Sequence, residues 1–390
     1  MKRLTRKMLG VAVGSIMMIG AGLGTASAGP TIDVGDAGSL KIDYQVQFVG
    51  SMRDTGSGPD GTGDTTDFYF RRNRLSFLGK MNDDIGYAIQ FESAGGNRTF
   101  PTSVSETATS ESVSIIDAYI TYKAADALQF RVGQIKHNLS REVLEHCFIP
   151  LSLDRSLFGN GAFSGKATRD YGVVMWGNIA DGMLQYRLGA MDGNEKDAAK
   201  REDGLRYSGR VHLSLLDPEN GYGYQGTYMG EQKVLTVGAS YEQEKDAIYN
   251  STSGAVEDYK AYSYDVFFEY PSVAGTITLA GSYLKADMNK AGLNGFTDAE
   301  GINGEKNGTF YKAGYMVGKV QFFGRMEDWS FAKLDGVKSQ KIKWTASGLN
   351  YYIKGQDLKL ALEYSMTDFD KESTSVQDFN TMSLMVQARF

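Results

Sequence analysis

Arginines recur at alternate positions of several segments in the first half of the sequence. In Leu205–Leu215, Arg206 and Arg210 alternate with apolar residues, which gives the segment one apolar and one polar face, and in Phe70–Leu75, Arg72 and Arg74 lie on one face. Arginine keeps its charge in proteins, and its planar fork of N–H donors fits phosphate, sulfate and carboxylate. A row of arginines along a passage would therefore favour anions. The residues predicted to line such a passage and to bind anions are Arg72, Arg74, Arg131, Arg187, Arg206 and Arg210.

Acidic residues accompany the arginines but are distributed unevenly along the chain. In the first half, Glu92 and Asp117 are the main acids on the polar faces. The second half carries more acids, so a basic wall is predicted to face an acidic one. The other interpretation is that the arginines pair with these acids and stiffen the wall, as buried charges commonly do. The charged residues of the second half are Arg325, Lys359 and Arg389, with Asp265, Glu269, Glu327 and Glu363.

The long segment 138–169 is the best candidate for a loop that constricts the passage. If it folds inward, its charges set the size and the sign of the filter. If it lies outside, the same charges belong to the surface, and the sequence leaves both possibilities open. The basic residues of the segment are Arg141, Arg155, Lys166 and Arg169, and its acids are Glu142, Glu145 and Asp154, with Asp170 directly after it.

Beyond these charges, the sequence lacks the residue groups that are typical of enzymes and metal sites. Cys147 is the only cysteine, so no intrachain disulfide can form. Three histidines, His137, His146 and His212, do not stand at the spacing of metal ligands. Neither a nucleophile-elbow motif nor a haem-attachment motif is present. We therefore predict neither catalysis nor a bound metal or cofactor.

The spacing of apolar residues predicts β-strands along the whole chain. From Leu40 to Phe48 every second residue is apolar, which is the period of a strand with one apolar and one polar face. The pattern recurs in segments of about ten residues, the length of a tilted membrane-crossing strand. The predicted strands are 40–49, 68–80, 84–93, 113–123, 127–136, 170–179, 182–191, 204–215, 233–243, 260–270, 274–286, 309–318, 319–329, 342–354, 357–367 and 381–390.

Short turns and long polar loops alternate between the predicted strands. Ala180–Asp181 and Gly355–Gln356 are short connections, whereas 95–112 and 288–308 are long and polar. A membrane barrel produces this asymmetry because its two rims differ in loop length. A soluble β-sandwich would tolerate the alternation but would not explain the asymmetry together with aromatic-rich apolar faces. We therefore predict an all-β transmembrane antiparallel β-barrel of about sixteen strands.

The N-terminus indicates that the chain is exported. Residues 1–28 combine a basic start, an apolar stretch and a small-residue end, the three parts of a secretory signal peptide. Without the four basic residues of this segment the net charge changes from −6 to −10, which argues against nucleic acid as a partner. No other segment is long and apolar enough to predict a transmembrane helix. The predicted barrel covers residues 29–390 and is expected in the outer membrane of a Gram-negative cell.

Four stretches resemble the phosphate-selective porin O and P family: Phe70–Leu75, Asp117–Tyr119, Arg131–Lys136 and Leu153–Leu157. The resemblance covers roughly residues 65–160 and implies a sixteen-stranded, typically trimeric anion pore with one loop folded into the lumen. Members of the family usually have prolines after the motif that ends at Lys136, whereas this chain has His137–Leu139. This difference concerns the geometry of the loop, and with it the specificity for phosphate.

Together these observations predict a porin for passive diffusion of small hydrophilic solutes, most of all anions such as phosphate. The expected partners are these anions and outer-membrane lipids, and a homotrimer is implied by the resemblance. Two alternatives use the same barrel. It could be a sheath around an exported multihaem cytochrome, which would require a wide lumen without an inward loop. It could also be an adhesin or receptor that acts through its long loops.

Overall fold

The computed structural model describes residues 29–35, 38–57, 63–93, 113–157, 168–193, 204–249, 256–287, 306–334, 337–372 and 377–390. The predicted signal peptide, residues 1–28, and Lys166 of the candidate constriction loop lie outside these ranges. In the described part of the chain, no helix is both long and apolar enough to cross a membrane.

Almost every described element is a β-strand, as the period-two pattern predicts. The one helix among the described elements, α1 (Arg141–Leu144), follows the sixth strand. The strands are β1 (Thr31–Asp33), β2 (Ser39–Ser57), β3 (Gly63–Lys80), β4 (Ile85–Ser93), β5 (Val113–Ala125), β6 (Leu128–Lys136), β7 (Arg169–Ile179), β8 (Leu184–Met191), β9 (Arg206–Ser214), β10 (Val234–Tyr249), β11 (Val256–Ser272), β12 (Gly275–Asp287), β13 (Lys306–Val317), β14 (Val320–Leu334), β15 (Val337–Lys354), β16 (Leu358–Phe369) and β17 (Phe379–Arg389).

Strands β2 to β17 form a closed antiparallel barrel. Each strand pairs with the next in sequence, and β17 closes the ring on β2 with a register that runs from Thr381↔Arg53 to Arg389↔Gln45. Closure leaves no unpaired strand edge, which a chain in lipid requires. Short β1 is not one of the sixteen strands of the ring and pairs with the start of β2. Counted over the described ranges, sixteen strands form the barrel, and the prediction of a sixteen-stranded antiparallel barrel is confirmed.

The two faces of each barrel strand differ in the way that a membrane demands. On β9, Arg206 and Arg210 point inward and are at most 2% exposed, whereas Tyr207 and Val211 point outward and are more than half exposed. Apolar side chains outside and polar side chains inside reverse the order of a soluble protein because lipid surrounds the barrel. The polar faces that carry the predicted arginines therefore line the interior.

The connections between strands are short on one rim of the barrel and long on the other, as predicted, with one exception. Ala180 and Asp181 adopt positive φ angles of 53° and 55°, the backbone of a tight hairpin turn. The connection from Leu215 to Lys233 lies on the same rim as this turn, yet it is long. Sequence analysis did not single it out. It folds back into the lumen, and we call it the turn-side segment.

Candidate functional site

The connection from β6 to β7 also enters the barrel. Its described part, residues 137–157, is named the loop segment. The Ser140 hydroxyl caps α1 by accepting a hydrogen bond from the backbone N–H of Val143 at 3.1 Å. Leu139 and Leu157 pack in one cluster with Trp329 and Trp344 of β14 and β15, which lie across the barrel from β6. The loop segment therefore crosses the lumen.

Carboxylates of the far wall hold the backbone of the loop segment. Glu363 accepts a hydrogen bond from the N–H of Leu153 at 3.1 Å, and Glu327 accepts one from the N–H of Leu157 at 2.9 Å. Asp265 accepts one from the N–H of Arg141 at 3.1 Å. Hydrogen bonds to charged acceptors are stronger than neutral ones. The acids of the predicted acidic wall thus support the loop segment.

A buried cluster of charged residues joins Asp154 of the loop segment to β3. Asp154 forms ion pairs with Arg71 and with Arg72, the second at 2.8 Å. Both arginines reach inward because the β2–β3 register shifts where Gln47 and Phe48 face Arg72 and Phe70. Although burial opposes ionisation, the two guanidiniums hold the pKa of Asp154 well below its ordinary value. Strict alternation would place Arg71 outside, so sequence analysis missed it.

The turn-side segment meets the loop segment inside the barrel. The N–H of His146 donates to the carbonyl of Tyr224 at 2.9 Å, and the N–H of Tyr224 donates to the carbonyl of Leu144 at 3.3 Å. A further bond joins the N–H of Gly226 to the carbonyl of Ile149 at 2.9 Å. The two segments, which enter from opposite rims, are therefore joined backbone to backbone.

Glycines make this close approach possible. A Cβ atom at Gly223 would lie 2.8 Å from Nε2 of His146, and one at Gly226 would lie 2.6 Å from the carbonyl oxygen of Ile149. No L side chain fits at either distance without a shift of its neighbours. The spacing of these glycines among Tyr222, Tyr224 and Tyr228 is the sequence signal that could have identified the segment.

A buried charge cluster stabilises the junction. Glu219 of the turn-side segment pairs with Arg141 of the loop segment at 2.5 Å and with His212 of β9 at 3.2 Å. Tyr228 donates its hydroxyl hydrogen to the same carboxylate. Burial alone would raise the pKa of Glu219, but Arg141 and His212 hold it at about 2. Arg141 also pairs with Glu145 at 2.7 Å, so this predicted loop arginine is neutralised by two acids.

A cavity of about 330 Å³ remains between the two segments and the wall formed by β2–β6, with Arg169 of β7 and Arg389 of β17 at its edges. We call this wall, with these two residues, the β2–β6 side. Its lining includes five basic residues but only two acids, together with aromatic side chains of both segments. The basic residues are Arg74, Arg131, Lys136, Arg169 and Arg389, the acids are Asp43 and Asp117, and the aromatic residues include Tyr119, Phe148 and Tyr222. This cavity therefore has a basic lining.

The cations of this cavity differ in whether an acid neutralises them. Arg74 pairs with Glu92 at 2.7 Å, and Arg169 pairs with Asp117 at 3.1 Å. Lys136 instead donates to the backbone carbonyl of Glu145 at 2.5 Å, and the guanidinium carbon of Arg131 lies 3.7 Å from the centre of the Tyr222 ring.

Arg389 at the end of β17 completes this group. Within the described residues, neither it nor Arg131 nor Lys136 forms an ion pair with a carboxylate, and each of the three is only partly buried. These three side chains, the unpaired cations of the cavity, give it an excess of positive charge.

The other predicted residues lie inside the barrel but away from this cavity. Arg206 pairs with Glu244 at 2.9 Å, and Arg210 pairs with Asp265 through two bonds of 2.7 and 2.8 Å. These two belong to neutral pairs, in line with the interpretation that lumenal arginines stiffen the wall.

Three more of the predicted charged residues lie inside the barrel. Arg187 has no carboxylate partner in the described chain and donates to the carbonyl of Tyr222 at 2.7 Å. Arg155 donates to the carbonyls of Glu142 and Val143. Buried Lys359 has no hydrogen-bond partner among the described residues. The binding roles of all the predicted residues stay predictions.

Sequence and structure comparisons give consistent results. A family model described as phosphate-selective porin O and P matches residues 42–390. No curated protein sequence matches the chain.

Several solved structures are similar. The outer membrane channel DcaP of Acinetobacter baumannii has a TM-score of 0.59 at 15% identity, with 93% of this chain and 100% of that chain covered. An anion-selective porin from Comamonas acidovorans has a TM-score of 0.58 at 11% identity, with 90% and 100% covered. The trimer form of OmpT from Vibrio cholerae has a TM-score of 0.52 at 12% identity, with 91% and 100% covered. At such identities the likeness concerns the fold alone.

Proposed function

The chain belongs to the phosphate-selective porin O and P family and is an outer-membrane porin, and we propose that it conducts small anions, phosphate and other oxyanions among them. The route follows the cavity on the β2–β6 side. Passage is passive diffusion without a cofactor, and the solutes are those small enough to pass between the wall and the two segments.

The observation that carries this proposal is the charge of the cavity lining. Arg131, Lys136 and Arg389 form no ion pair with a carboxylate of the described chain, so no paired acid offsets the positive charge that they bring to the cavity. A cation near low-dielectric walls attracts anions and repels cations strongly. Arginine also offers the paired N–H donors that oxyanions accept.

Two further lines support the proposal less directly. The matching family model is described as phosphate-selective, and one structurally similar protein is described as an anion-selective porin. Another similar structure is a trimer form, and we propose that this chain also assembles as a homotrimer. The sheath around a cytochrome is disfavoured, because the loop segment and the turn-side segment occupy lumen that such a partner would need.

The proposal is tested by the reversal potential of purified protein in a planar bilayer under a potassium chloride gradient. We expect a potential of the sign that anion preference produces. Arg131→Gln removes one unpaired charge without leaving an orphaned acid, so it should move the potential towards zero. A wild-type potential near zero, or one of cation-preferring sign, would contradict the proposal.

A further inference from the structure

Arg131 is held by aromatic rings rather than by an acid. Its guanidinium carbon lies 4.1 Å from the ring centre of Tyr119 on β5 and 3.7 Å from the ring centre of Tyr222 in the turn-side segment. A guanidinium above an aromatic face is attracted by the ring's quadrupole. The N–H donors of arginine lie in the guanidinium plane, and Nε of Arg131 is buried without a hydrogen-bond partner among the described residues. The side chain is partly exposed, so its terminal nitrogens are the donors that remain for a ligand while the rings fix the cation.

Tyr222 is itself held firmly. Its ring meets that of Trp176 edge to face with centroids 5.3 Å apart, and both belong to one buried cluster with Tyr224 and Leu144. Its carbonyl accepts a hydrogen bond from Arg187 at 2.7 Å. The hydroxyl makes only a long contact of 3.4 Å with Oδ1 of Asn138. Tyr222 therefore contacts Arg131 with its ring, whereas its hydroxyl points to Asn138.

The contact between Tyr222 and Arg131 joins the turn-side segment to β6. The residue comes from the rim opposite to the one where the loop segment enters, and it lines the same cavity as Phe148 of that segment. A long arginine loses much conformational freedom when it binds a ligand in one geometry. A ring that orders the arginine in advance reduces that loss and so strengthens binding.

We propose that Tyr222 is a positioning residue for Arg131, and that the turn-side segment is therefore one half of the selectivity filter. The ligand class is a small oxyanion such as inorganic phosphate, bound by the edge of the ordered guanidinium. This inference rests on the proposed function, since it assigns a second element to the same anion route.

The experiment measures how inorganic phosphate blocks the chloride current of the full-length porin in planar bilayers. Tyr222→Leu removes the ring, and we expect the half-blocking phosphate concentration to rise by roughly threefold to tenfold, the range of a lost cation–π contact. Tyr222→Phe keeps the ring and should restore wild-type block. Tyr228→Leu is the matched control, because Tyr228 lies in the same segment but packs on Phe267 and bonds to Glu219 instead.

Each outcome has a distinct meaning. Weaker block in Tyr222→Leu alone, with rescue by phenylalanine, supports the inference. Wild-type block in Tyr222→Leu overturns it while leaving the anion route intact. Equal weakening in Tyr228→Leu also overturns it, since loosening of the segment would then be the cause. Absence of phosphate block in the wild type overturns the proposed function, and this inference with it.

Discussion

The two sides of the lumen treat their charges differently. On the side of β9–β16, Arg206, Arg210 and Arg325 are buried, and each pairs with a carboxylate one or two strands away. On the β2–β6 side, Arg131 and Lys136 are partly exposed to the cavity and have no such partner in the described chain. Lys359 is an exception, since it lies buried on the first side without a partner among the described residues.

The physical reason for the difference is desolvation. A charge removed from water needs a counter-charge, whereas one that keeps part of its water does not. The far side has therefore become a neutral support for the loop segment, and the near side has kept a usable positive charge. A row of arginines in a barrel does not by itself mark an anion route; partial exposure and the lack of an acid do.

The largest effect is expected from removing the ion pairs that join the loop segment to β3. Asp154→Ala leaves Arg71 and Arg72 buried without their carboxylate, and breaking a buried ion pair from one side costs about 3–5 kcal/mol. We expect the loop segment to detach from β3, with a larger and noisier single-channel conductance. The control is Asp126→Ala, which removes an exposed carboxylate from a short turn. Wild-type conductance in Asp154→Ala would show that the loop segment does not restrict the passage.

The smallest effect is a pH dependence at Glu145, whose carbonyl holds Lys136 beside the cavity. Burial raises the pKa of Glu145 to about 7, against the opposing influence of Arg141. Lowering the pH from 8 to 6 therefore protonates the carboxylate and removes a negative charge near the unpaired cations. Anion preference should rise modestly over this range, and the rise should be smaller in Glu145→Gln.

His146 provides the internal control for that titration. Burial and the nearby Lys136 lower its pKa to about 4, so it stays neutral between pH 6 and pH 8. His146→Asn should keep the wild-type pH dependence. A pH dependence that disappears with His146 rather than with Glu145 would contradict the assignment.

The barrel itself was predictable, because membrane strands repeat one simple pattern. Each of the sixteen predicted segments coincides with one barrel strand, and only the ends differ. Strand β2, for example, continues to Ser57 and β3 already begins at Gly63, beyond the predicted limits at 49 and 68. These extensions consist mostly of polar residues and glycine, and so they show no apolar alternation.

The interior was less predictable, because its contacts are long-range. Nothing local in Asp154 shows that it meets Arg71 and Arg72 inside the lumen, and the inward course of residues 137–157 depends on such pairs. The turn-side segment was missed because a long connection was not expected on the rim of short turns. The contact of Tyr222 with Arg131 came with that segment and was missed for the same reason.

The most direct test of the account compares charge removal at unpaired and paired cations. One variant combines Arg131→Gln, Lys136→Gln and Arg389→Gln, and the other removes a neutral pair through Arg206→Gln with Glu244→Gln. Reversal potentials are measured for both in the same potassium chloride gradient. The account predicts that the first variant loses anion preference and that the second keeps it. Retained anion preference in the first variant, or equal loss in both, would contradict the claim that unpaired cations of the β2–β6 side select the anions.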